Sequence, residues 1–143
     1  MDSRTNSGRP HAPAPPKPDK RAPAFFFRTE QGNEPVRDWL KENLTPDERK
    51  LVGEDVKTVE YGWPIGMPAC RPLGDGLHEV RTNLPTRIAR VLFYVDERER
   101  MVLLHGFFKK DRQIPAADMK LARARKAEHE TAAERARKSG KRR

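Results

Sequence analysis

Arg81, Arg90, Lys109 and Lys110 are spaced so that three successive strands of one meander would carry them, bringing distant residues together in space. Such a cation cluster on an open sheet face suits a phosphodiester, because guanidinium and ammonium groups hold anionic oxygens through charge-assisted hydrogen bonds. Cleaving RNA without a metal requires activation of the 2′-OH, stabilisation of a pentacovalent phosphorane and a proton for the 5′-oxygen. Arg and Lys supply the second directly. Lys, His and Tyr can serve the others when neighbouring charges shift their pKa values. His78, His105, Glu79 and Tyr94 are the titrating groups nearby. The expected site is therefore Arg81, Arg90, Lys109, Lys110, His78 and Tyr94.

Each residue also has a plainer reading. Arg and Lys on strands are often solvated edge residues. His105, between Leu104 and Gly106 in an apolar run, fits a hydrogen-bonded core histidine, and Glu79 fits an ion pair with an adjacent Arg. Cys70 sits among Pro and Gly and is given no catalytic role. The four histidines have no metal-ligand spacing, and one Cys completes no zinc site. Neither a phosphate-binding glycine loop nor a dinucleotide fingerprint occurs. No metal and no small-molecule cofactor are expected.

The elements that must position these residues read as follows. Phe25–Thr29 is a first strand, and Asn33 a candidate N-cap for a helix carrying Val36, Trp39, Leu40 and Leu44. Thr45-Pro46-Asp47-Glu48 combines an N-cap Thr, a Pro at the first helical position and a Glu at the third, a capping box. Val52, Val56, Val59 and Trp63 mark one face of that second helix, which should end near Gly62-Trp63-Pro64. Residues 64–76 read as loop. The period then changes to two: Leu77–Thr82, Arg87–Val95 and Met101–Phe108 form a meander, with Asp96–Arg100 as a charged hairpin turn. A last helix opens at Ile114-Pro115. Beyond about Lys126 its apolar residues are all Ala, so that end should fray or project into solvent, and Ser139-Gly140 should stop it. The expected fold is α+β: a small, mainly antiparallel sheet with two N-terminal helices packed on one face and a C-terminal helix. The opposite face should be open and carry Arg90, Tyr94 and Arg81.

The chain has 143 residues, room for one ordinary domain, and a net charge of +9, which makes a polyanion the default partner. The charge is unevenly placed. Residues 1–23 are Pro-rich, carry five Lys/Arg against two Asp/Glu, and read as a disordered basic arm. Residues 115–143 carry ten against four, while residues 24–114 carry 15 of each. The expected division is an arm over 1–23, a folded domain over 24–126 and a basic helix end or tail over 127–143. No apolar run is long enough to span a membrane, no secretory h-region is present, and a lone Cys fits a reducing cytoplasm.

Three blocks of the meander resemble one family. Leu73-Gly74-Asp75-Gly76-Leu77-His78-Glu79-Val80-Arg81 is similar to the L-G-x-G-L-x-E-x-R segment of the phage-derived, HigB-like branch of the RelE/ParE toxin superfamily. Ile88–Tyr94 resembles its next strand. Leu103-Leu104-His105-Gly106-Phe107-Phe108-Lys109-Lys110 resembles its L-L-H-G-F-x-K-K block, and Pro35–Leu40 the start of its first helix. Asp111–Pro115 stands where the family has Thr-Gln-Lys-Thr-Pro. The resemblance, from roughly Phe25 to Lys126, implies the toxin of a type II toxin–antitoxin pair with a RelE/ParE-like fold. It implies an endoribonuclease that cleaves mRNA on the ribosome, with Arg81, Arg90, Lys109 and Lys110 facing RNA. It also implies a cognate antitoxin, expected to be a helix-turn-helix protein. The alternative is a ParE-like gyrase poison or a non-catalytic nucleic-acid-binding homologue.

Overall fold

The structure, a computed structural model, describes residues 19–141. The expected arm therefore lies outside the described residues up to residue 18. Its last residues are tied down. The N–H groups of Arg21 and Ala22 donate to the Glu60 carbonyl at 2.8 and 3.0 Å. The Lys20 ammonium lies 3.2 Å from the Glu60 carboxylate, which also accepts the N–H of Ala24 at 2.6 Å.

Eight elements follow: β1 (Ala24–Phe26), α1 (Pro35–Asn43), α2 (Pro46–Gly62), β2 (Arg71–Gly74), β3 (Leu77–Asn83), β4 (Ile88–Val95), β5 (Met101–Phe108) and α3 (Ala116–Lys141). The five strands form one sheet in the order β1-β5-β4-β3-β2, antiparallel except for the β1–β5 pair. The α+β expectation holds.

Local chemistry explains the helix starts. The Thr45 hydroxyl accepts the N–H of Glu48 at 3.2 Å, and Glu48 accepts the N–H of Thr45 at 2.9 Å, closing the expected box. The cap of α1 is Glu34, not Asn33, and its side chain makes no capping bond. The Asn33 N–H is used in the preceding turn, where it donates to the Thr29 hydroxyl at 3.0 Å.

Two layers cover the sheet. Val36, Val52, Val56 and Val59 from α1 and α2 pack on Val80, Val91, Phe93 and Leu103. A Cβ on Gly106 would lie 2.6 Å from the Trp39 ring, so only glycine lets α1 approach here. On the opposite face Leu77, Leu92, Tyr94, Val102 and Leu104 pack beneath Ala122 of α3.

Four further expectations are corrected. Residues 71–74, read as loop, form the short edge strand β2, with Arg71 opposite Glu79. The first strand is shorter than expected and stops at Phe26. The second sheet face is not open along its length, since α3 crosses it and buries Tyr94. Of the two expectations for the end of α3, fraying is not found and exposure to solvent is, since most residues of 127–140 are exposed; nor does the helix stop at Ser139-Gly140. It continues to Lys141, and long-range polar contacts hold it where apolar residues are lacking. The His129 Nε2 sits 3.2 Å from the Asp96 carboxylate and Arg137 sits 2.8 Å from Glu97, both acids lying in the charged β4–β5 turn. The His129 ring also packs on Phe25 and Tyr94.

Candidate functional site

Strand register gathers a polar group at the end of the sheet that α3 leaves uncovered. Arg71 pairs with Glu79, Arg81 with Arg90, and Arg90 with Phe107. Directly paired residues project to the same face, so β2 to β5 each contribute side chains to one row. Glu79 is fully buried, and its carboxylate binds the Arg90 guanidinium directly and lies 3.5 Å from that of Arg71. One carboxylate therefore ties two arginines. A buried carboxylate without such partners would carry a desolvation cost of several kcal/mol.

Arg90 itself is only 1% exposed. Its guanidinium centre stands 5.3 Å from the Phe107 ring centroid, and its Nη1 reaches the Asp111 carbonyl at 3.5 Å. The segment carrying Lys109 and Lys110 thus passes beside it. The expectation that Arg90 lies on open surface is corrected: its charge is present at the site, but its side chain is packed behind others. Arg81 and Lys110 are exposed, Lys109 half-buried, and none of them makes an ion pair among the described residues.

A hollow of about 360 Å³ opens here, lined by Met67, Pro68, Cys70, Arg71, Glu79, Arg81 and Asn83. Met67 is 68% exposed. Apolar atoms thus stand beside two guanidinium groups, an arrangement that accepts an anion attached to a flat or apolar body.

Two expected site residues lie elsewhere. His78 points to the opposite face, stacked on Phe93 at 5.3 Å with the Trp63 ring edge-on at 5.0 Å. Burial lowers its pKa, and its Nδ1 has no hydrogen-bond partner among the described residues. Tyr94 shares the face of Arg90 but lies under α3, with the Lys126 ammonium 5.2 Å from its ring centroid. Burial pushes its phenol up, and Glu130 and Asp96 push it further. Its hydroxyl has no partner among the described residues.

Two residues that sequence reasoning left out of the site are brought to it. Arg71 was hidden by the loop reading; its signal was the Gly74-Asp75-Gly76 hairpin turn, which makes the residues before it a strand. Asp118, in the first turn of α3, places Oδ1 2.6 Å from the His105 Nε2. The sequence named His105 but offered no partner thirteen residues on.

A family model described as phage derived protein Gp49-like (DUF891) matches residues 38–127. The chain belongs to this family. The Gp49-like match begins inside α1 and ends inside α3, so it encloses every residue of the polar row and omits β1 and the distal half of α3. The Gp49-like family is a RelE/ParE-like toxin family of type II toxin–antitoxin systems, and a toxin of that class implies an antitoxin partner. No curated protein matches the chain. No described helix is long and apolar enough to cross a membrane.

Proposed function

We propose that the protein is a toxin of the HigB-like branch that cleaves mRNA on the ribosome in the cytoplasm, without a metal, and that a cognate helix-turn-helix antitoxin neutralises it. The observation that carries this reading is the cationic row at the uncovered end of the sheet. Arg71, Arg81, Lys109 and Lys110 supply donors that solvent can reach, while Arg90, paired with the buried Glu79, packs behind them. Arg81 and Arg71 grip phosphates flanking the scissile bond, with a nucleoside against Met67 and Pro68. Lys109 and Lys110 face the phosphorane and its leaving oxygen, where developing negative charge is stabilised more strongly than in the ground state.

The test is induced expression followed by mapping of transcript ends, with wild type and Arg81→Ala. Wild type is expected to arrest growth and cut transcripts within translated frames, and Arg81→Ala to do neither while remaining folded. Arrest with intact transcripts and an induced DNA-damage response would replace this reading with gyrase poisoning.

A further inference from the structure

A β-bulge decides what His105 can do. Leu92 pairs with His105 but Phe93 pairs with Leu103, leaving Leu104 as the extra residue. Strict alternation would send Leu104 and His105 to opposite faces. The bulge turns both to the α3 side, where Leu104 joins the core under Ala122 and His105 meets Asp118. His105 thereby lies on the same face as the cationic row. It is the diagonal cross-strand neighbour of Arg90, a relation that corresponds to about 7–8 Å between backbones.

The imidazole is fixed on two sides. Its ring stacks on Phe107 at 5.3 Å and 19°, and its Nε2 contacts the Asp118 carboxylate at 2.6 Å. An ionised carboxylate accepts only, so in the neutral ring the proton resides on Nε2 and Nδ1 carries the lone pair. The charged groups around it are Asp118 from α3, Arg90 from β4 backed by Glu79 from β3, and Arg125 of α3, whose guanidinium donates to the Leu104 carbonyl at 2.8 Å. The side chain keeps 14% of its surface accessible.

We propose that His105 is the general base of the cleavage and that Asp118 is its positioning residue; this rests on the nuclease reading above. Nδ1 takes the 2′-OH proton. The 2′-oxygen bonds to phosphorus as the P–O5′ bond breaks, and the 5′-oxygen takes a proton from water or from the ammonium of Lys109 or Lys110. The products are a 2′,3′-cyclic phosphate and a 5′-OH, and the imidazolium returns its proton to solvent. The role missing from the cationic row, a group able to accept a proton, is thereby filled.

The experiment is single-turnover cleavage of a defined mRNA on programmed ribosomes from pH 5 to 8, using full-length wild type, His105→Gln and Asp118→Asn. Wild type should show a rate that rises with pH as an imidazole base is freed. His105→Gln should cut about a hundredfold more slowly and lose that rise. Asp118→Asn, on a helix surface, should lose at least about tenfold because the amide permits the wrong tautomer; it also decides the matter if His105→Gln does not fold. Wild-type cleavage with either folded variant within about threefold of it, at an unchanged pH slope, overturns the assignment and leaves the nuclease reading standing. Absence of wild-type cleavage overturns both.

Discussion

Arg90 and Tyr94 lie on one strand and one face, four residues apart, yet their surroundings are opposites. Around Arg90 the neighbours are Glu79, Arg71, Phe107 and the Asp111 carbonyl, and the rim is solvent-accessible cation. Around Tyr94 the neighbours are Lys126, His129 and the apolar residues beneath Ala122, and α3 closes the surface. The path of α3 makes the difference. Its residues pack over Tyr94 and the core beneath Ala122, whereas the groups around Arg90 come from β2, β3, β5 and the segment after β5. A polar residue on this face is therefore available for chemistry only at or beyond the first turn of the helix.

The largest effect should come from breaking the buried charge pair. Arg90→Ala leaves Glu79 buried beside Arg71 alone and is expected to cost about 3–5 kcal/mol, measured by urea denaturation. Replacing both Arg90 and Glu79 by apolar residues of similar size should recover much of that loss, because the stranded charge is gone. Loss of toxicity in Arg90→Ala alone therefore says nothing about catalysis until its stability has been measured.

Moving the edge of the helix comes next. Burial alone would raise the Asp96 carboxyl. The Arg100 backbone N–H, the Arg100 guanidinium and His129 outweigh it and hold the group below its ordinary value. A carboxyl depressed in the folded state stabilises above its unfolded pKa of about 3.9, and that contribution fades as pH falls through the lower folded value. Asp96→Asn should cost about 1–3 kcal/mol at neutral pH and flatten the acid limb of stability. Hydrogen exchange should then rise in the distal half of α3 and stay unchanged in α2.

A smaller effect on stability, but a large one on function, is expected at the open end. Arg81→Ala should change stability by less than about 0.5 kcal/mol. It should also reduce the salt slope of single-stranded RNA binding by about 0.7, the loss of one phosphate contact. A slope identical to wild type would remove Arg81 from the interface. Smallest of all, Tyr94→Phe removes a buried hydroxyl that has no partner among the described residues. Its stability should be equal to wild type or higher by up to about 1 kcal/mol.

These contrasts also mark what the residues reveal locally. Thr45-Pro46-Asp47-Glu48 announces α2 because a capping box is built from neighbours. Val91, Phe93, Arg90 and Leu92 alternate because pleating requires it, so the two faces of β4 are legible. The distal half of α3 is not, since Ala-rich helix is held there by His129–Asp96 and Arg137–Glu97, pairs that only the finished fold brings together. The turning of His105 toward Asp118 is also hidden, because a single bulged residue, Leu104, resets the alternation. His78, expected at the site as a nearby titrating group, is next to Glu79 on β3, but neighbours on a strand face opposite ways, and burial against Phe93 and Trp63 follows.

The central claim is that function resides at the end of the sheet that α3 leaves open. Transcript cleavage measured side by side for Arg81→Ala and Tyr94→Phe, at equal expression and verified folding, tests it most directly. The account predicts that Arg81→Ala loses cleavage and Tyr94→Phe keeps it, whereas a fully active Arg81→Ala beside an inactive Tyr94→Phe would contradict it.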